Sequence, residues 1–149
     1  MPITPAELEA VVAELARRPG HEKVRALLHR LLTGALGARS EQIAFEQALP
    51  EVRGRVDALL GRTLIEIKAD LRRESAAAEA QLARYLPERE AATGQRYVGL
   101  ATDGARFVAY EMRAGALVPL GACDARAAEP RDLTAWLEGV IAVDRKSVV

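Results

Sequence analysis

Between Gly54 and Leu71 the chain reads GRVDALLGRTLIEIKADL, two apolar runs broken at Gly61-Arg62 and carrying Asp57, Glu66 and Lys68. A charge on a strand that must bury costs folding energy unless it is partnered or used. The stretch therefore constrains the fold and the function together. Read as two strands with a return at Gly61-Arg62, it brings Asp57 opposite Glu66. Side chains alternate along a strand, so Glu66 and Lys68 share one face while Ile65 and Ile67 pack inward on the other. Two converging carboxylates suit a hard divalent cation such as Mg²⁺, which takes oxygen ligands at roughly 2.0–2.1 Å and keeps several waters. A lysine two residues along can hold or activate a water, or neutralise charge growing on a phosphate. The alternative is a solvated polar strand face, on which Glu-x-Lys is common.

Beyond Lys68, alanines at 76, 77, 78, 80 and 83 favour a helix from Arg72 to Leu86, and Pro87 is expected to stop it. Gln81 and Tyr85 stand four apart and so share one helix face. Turned toward the carboxylates, they would orient the lysine, a water or a phosphate. In the bland arrangement Tyr85 packs at the rim and Gln81 faces solvent.

With these residues the stretch resembles the PD-(D/E)XK nucleases, the restriction-endonuclease-like superfamily. Val56-Asp57 matches the first part of that motif, Glu66-Ile67-Lys68 the second, and Gln81 with Tyr85 the Gln-x-x-x-Tyr pair of RecB-type nuclease domains. Within the superfamily it is most similar to the amino-terminal nuclease domains of type IIG restriction-modification enzymes. The run from Ala101 to Phe107 is also similar to theirs. The resemblance spans residues 42 to 121 and departs at Val56, where the family name has proline, a tolerant position.

The resemblance implies an α/β fold with a restriction-endonuclease-like core, a mixed β-sheet flanked by helices, behind an N-terminal helical segment. It implies metal-dependent hydrolysis of a DNA phosphodiester, with Mg²⁺ (Mn²⁺ substituting) held by Asp57, Glu66 and the backbone carbonyl of Ile67. Lys68 would position or activate the attacking water. Many such nucleases add an acid from the helix before the sheet, and Glu22 is the candidate. A glutamate in a first turn is also favoured by the helix macrodipole alone. Glu46 is its rival, or else a solvated edge residue. Type IIG relatives join this domain to a methyltransferase and a specificity region, for which 149 residues leave no room. A domain of a longer chain or a stand-alone relative is therefore expected. The competing readings are a catalytically silent nuclease fold that contacts DNA or protein, a DNA-repair exonuclease of the same superfamily, and a folded fragment whose carboxylates are merely surface.

The remaining sequence agrees with a single domain. A chain of 149 residues with 50% hydrophobic and 28% charged side chains has room for one core without a metal or disulfide staple. One cysteine, Cys123, excludes an internal disulfide, and with His21 and His29 it cannot build a Cys/His zinc site. No apolar run approaches the roughly 20 residues of a membrane span, and the start lacks a secretory pattern, so a cytoplasmic home is expected. Basic and acidic residues balance at 21 each, whereas residues 53 to 73 hold six basic side chains against three acidic ones. That local excess is either surface solubility or phosphate attraction.

Thr4-Pro5-Ala6-Glu7 predicts the start of a first helix, ended at Pro19-Gly20. A second is expected from His21 to about Leu36, with His29 on its surface. The helical part thus covers residues 1 to 37 and the sheet core 42 to 121. Ile43-Ala44-Phe45 begins the sheet, and Pro50 precedes a polar return into Gly54. Turns at Asp103-Gly104 and Arg113-Ala114-Gly115 predict an antiparallel meander, with Tyr97, Phe107 and Tyr110 as core or sheet-face residues. A short helix around Leu133, Trp136 and Leu137 is expected to close the fold, over residues 130 to 138.

Overall fold

Thr4 opens the first helix as its hydroxyl dictates: Oγ1 accepts the Glu7 amide at 3.1 Å, and α1 runs Pro5–Leu15. The computed structural model describes residues 1–49, 51 and 54–146. Helix α2, His21–Gly34, follows directly on Gly20, whose φ of 102° only glycine adopts freely. Its Val24, Leu28, Leu31 and Leu32 are buried, one stripe at helical spacing.

Six strands then form one mixed sheet in chain order: β1 Ile43–Leu49, β2 Gly54–Leu60, β3 Thr63–Ile67, β4 Val98–Thr102, β5 Arg106–Arg113 and β6 Ala116–Asp124. Every neighbour pair is antiparallel except β3 and β4, which run parallel. A parallel pair needs a crossover, and helix α3, Leu71–Thr93, supplies it. Helix α4, Pro130–Lys146, ends the described chain.

Each face of the sheet has its own core. Ile65 and Ile67, with Ala58, Leu100 and Phe107, pack among α1, α2 and α4. Leu64, Val56 and Ala101 pack on the other side against Ala78, Leu82 and Leu86 of α3. The alanine-rich helix lies close: a Cβ on Gly99 would come within 3.1 Å of Leu82 and Leu86. No helix among the described residues is long and apolar enough to cross a membrane.

The turns at Gly61-Arg62, Asp103-Gly104 and Ala114-Gly115 fall where the sequence puts them, and the last three strands form the expected meander. Tyr97, Phe107 and Tyr110 are buried. Three boundaries need correction. Pro87 does not stop α3, which continues to Thr93 and ends on left-handed Gly94. A proline inside a helix costs about 3 kcal/mol. The two turns beyond it offset this, because Arg89 reaches Glu51 and Tyr97, and Glu90 accepts the Tyr97 amide at 2.8 Å. Helix α4 extends past residue 138 to Lys146, and the sheet past residue 121 to Asp124. Pro50 and Arg53 lie outside the described residues.

Candidate active site

The ladder between β2 and β3 runs from Leu60 opposite Thr63 to Ala58 opposite Ile65 and stops there. The next position on β2 is Asp57, and its side chain replaces the missing backbone partner: Oδ2 accepts the Ile67 amide at 2.6 Å. Strand β1 is irregular at the same level. Phe45 faces Ala58 and Gln47 faces Val56, so Glu46 lies opposite Asp57. Its φ is 49°, an uncommon conformation for a side-chain-bearing residue in a strand. Sheets break their ladders in this way where a side chain must be re-aimed.

The other oxygen of Asp57, Oδ1, lies 2.9 Å from Nε2 of His21 at the first position of α2. An ionised carboxylate only accepts, so that nitrogen carries the proton. In the sequence His21 stands out only as a would-be zinc ligand, and nothing beside it points to Asp57, 36 residues away. The available signal was a histidine fixed at a helix start by Pro19-Gly20 and therefore held rigidly in space.

Glu66 sits on the face covered by α3 and is only 2% exposed, which removes the solvated-face alternative. Its Oε1 is buried without a hydrogen-bond partner. Burial, then the negative charge of Asp57, push its carboxyl up to about 8, while the Lys68 ammonium pulls the other way. The pair therefore holds a proton near neutral pH unless a cation takes its place. The donor set fits such a cation: two facing carboxylates, one with an idle buried oxygen. The Ile67 carbonyl leaves β3 on the same edge as the amide that meets Asp57. Among the described residues no group of three or more His, Cys, Asp or Glu side chains is arranged around a metal position. Two carboxylates and a carbonyl match Mg²⁺, which fills its remaining positions with water. Lys68 is half-buried, and its ammonium makes no hydrogen bond or ion pair among the described residues.

The other predicted residues stand farther out. Gln81 lies on the α3 side, which is Glu66's side, and its Oε1 is buried and unpartnered. Tyr85 is 5% exposed and covers Gly54, where a Cβ would fall 2.7 Å from its Oη. It therefore packs at the end of β2. Glu22 is mostly exposed and paired with Arg25 at 2.6 Å, and Glu46 meets the same arginine at 3.3 Å. Glu22 touches the centre only through His21, whose Nδ1 is 3.9 Å away.

No family model, curated protein or solved structure matches the chain.

Proposed function

We propose that this chain is a metal-dependent deoxyribonuclease domain of the PD-(D/E)XK type, with a restriction-endonuclease-like core, working in the cytoplasm as part of a restriction-modification system. One observation carries the reading. A fully buried glutamate with an idle oxygen faces an aspartate across a broken strand ladder, with an unpaired lysine two residues away. Burying two carboxylates against each other is costly, and a divalent cation between them inverts the balance.

Asp57, Glu66 and the Ile67 carbonyl would hold Mg²⁺, with Mn²⁺ able to substitute. When bound, the ion supplies a hydroxide near neutral pH and withdraws charge from the phosphate. The chain's own residues do the rest. The Ile67 amide and His21 fix the Asp57 carboxylate in one orientation, each oxygen keeping a second lone pair for a ligand. Lys68 holds the attacking water in line with the scissile phosphorus, and its positive charge stabilises the oxygens as they become more negative. Gln81, whose buried carbonyl oxygen has no partner, orients that water or the lysine. Glu22 and Glu46 stay outside this first set.

Sequence-specific reading requires side chains placed against base edges, and it is assigned to a separate methyltransferase or specificity region. A second reading, a silent nuclease fold that contacts DNA or protein, draws on the fact that both oxygens of Asp57 are already bonded. Plasmid nicking in Mg²⁺ or Mn²⁺, run beside calorimetric metal titration of wild type and Glu66→Ala, tests both. Metal-dependent nicking lost in the variant supports the nuclease. Metal-independent DNA binding with equal metal affinity in the two proteins overturns it in favour of the silent module.

A further inference from the structure

Next to the carboxylate pair, two guanidinium groups converge on a single residue. Arg25 stands one helical turn after His21 on α2, so both project from one face toward the sheet. Its Nη1 lies 3.3 Å from the Glu46 carboxylate and its Nη2 2.6 Å from Glu22. The guanidinium stands over the Phe45 ring of β1, 5.7 Å from its centre. From β2, Arg55 donates through Nη1 to the Glu46 carbonyl at 3.0 Å. Glu46, opposite Asp57, is thus gripped at main chain and side chain by two arginines while its own backbone is left-handed.

A DNA strand that reaches Asp57 from the α2 side passes Glu22, beside His21, and Glu46, opposite Asp57. Without nearby cations those carboxylates would repel it. Arginine's planar fork matches phosphate and carboxylate alike. We propose that Arg25 and Arg55 form a phosphate clamp at the mouth of the site, and that the Glu46 carboxylate occupies Arg25 as an internal anion until a DNA phosphate displaces it. This rests on the nuclease reading for its choice of ligand. Glu46 can leave: its side chain is 55% exposed, and an ion pair so exposed is weak. Arg25 itself is 27% exposed, enough to be reached without moving a core element.

The clamp predicts substitutions of opposite sign. Fluorescence anisotropy with a labelled 20-base-pair duplex, with Ca²⁺ replacing Mg²⁺, reads affinity apart from cleavage. Arg25→Gln is expected to weaken binding by about fivefold or more and to reduce the slope of log affinity against log salt by about 0.9, one phosphate contact. Glu46→Gln removes one of the two anions on Arg25, leaving Glu22 on Nη2, and is expected to tighten binding by about two- to fivefold. Both variants keep the Mn²⁺ affinity of the wild type by calorimetry. If Arg25→Gln fails to fold, Arg55→Gln carries the same expectation, since Arg55 is exposed and its loss costs one main-chain contact. Arg25→Gln and Glu46→Gln shifting affinity in the same direction, or neither shifting it, overturns the clamp, as does a wild type that binds no DNA at low salt. A wild type that binds DNA with these opposite shifts yet never nicks it retains the clamp and removes the nuclease reading.

Discussion

Two acids of this sheet are almost wholly withdrawn from water, Asp103 just past β4 at 0% exposure and Glu66 on β3 at 2%. Asp103 has a full set of partners: Arg18 Nε and the Leu71 amide at 2.8 Å on Oδ2, and the amides of Ala105 and Arg106 at 3.0 and 2.9 Å on Oδ1. Glu66 has an idle oxygen, a negative neighbour and a carboxyl pushed up to about 8. Equal burial therefore has opposite meanings. Asp103 ties the end of α1, the start of α3 and the β4–β5 turn into one scaffold, so its charge is spent on the fold. Glu66 is left with capacity that only a cation or a proton can use. Satisfaction, not burial, separates scaffold from site.

Removing the Asp103 carboxylate should break the scaffold first. Asp103→Ala leaves three amides without their acceptor and Arg18 with only the longer pair to Asp70 at 3.6 Å, and the expected cost is about 3–5 kcal/mol by urea denaturation. Gly104 raises the stakes locally, since a Cβ there would lie 2.5 Å from the Leu15 carbonyl oxygen. A loss below about 1 kcal/mol would mean that Asp103 is dispensable and that the contrast with Glu66 is empty.

Lys68→Ala should do the reverse. The ammonium makes no hydrogen bond or ion pair among the described residues and only feels the Glu66 carboxyl through space, so the thermal midpoint should stay within a degree or two. Plasmid nicking should fall by about 10²–10⁴-fold, the usual contribution of a positioned proton-handling group. Unchanged nicking rates would return Lys68 to the surface.

The pair also sharpens through pH. Folded Glu66 keeps its proton up to about 8, whereas the unfolded chain loses it above the ordinary value of 4.5. Between those limits the unfolded state binds fewer protons, so stability falls as pH rises, by at most about 1.4 kcal/mol per pH unit. Glu66→Gln, the neutral isostere, should flatten this slope, and Mg²⁺ should oppose it by binding the ionised pair. Denaturation midpoints at pH 5, 6, 7 and 8 check both, and a stability that rises across the window contradicts the assignment of the raised carboxyl.

What the sequence made legible was local. The Thr4 cap, the Gly61-Arg62 return and the Asp103-Gly104 turn each depend on a few adjacent residues with fixed backbone preferences. The facing of Asp57 and Glu66 followed from the same short hairpin. What stayed hidden depends on distance along the chain. His21 and Asp57 are 36 residues apart, and Arg18 and Asp103 are 85 apart, so no spacing rule joins them. Pro87 misled because the contacts that carry α3 past it, to Glu51 and Tyr97, lie outside the helix. The alanine-rich helix was legible as a cover for the sheet, but the alternation pattern, which shows only that a face is polar, did not show how completely it buries Glu66.

Gln81 gives the finest test of satisfaction as the criterion. Its Oε1 is buried without a partner, as Glu66's is, yet its side chain is uncharged and half-buried, so the stored cost is smaller. If Gln81 is kept for the site, replacing it by a similar apolar side chain should help the fold and harm the chemistry together. Gln81→Met relieves an unsatisfied carbonyl, for an expected gain of about 1 kcal/mol. The same change leaves the water or lysine it orients unguided, and nicking should drop about tenfold while the Mn²⁺ affinity holds. Stability and activity both preserved would make Gln81 a spacer on α3. A joint loss would make it a packing residue whose partner forms only in solution, and would move the boundary between scaffold and site one helix turn closer to Glu66.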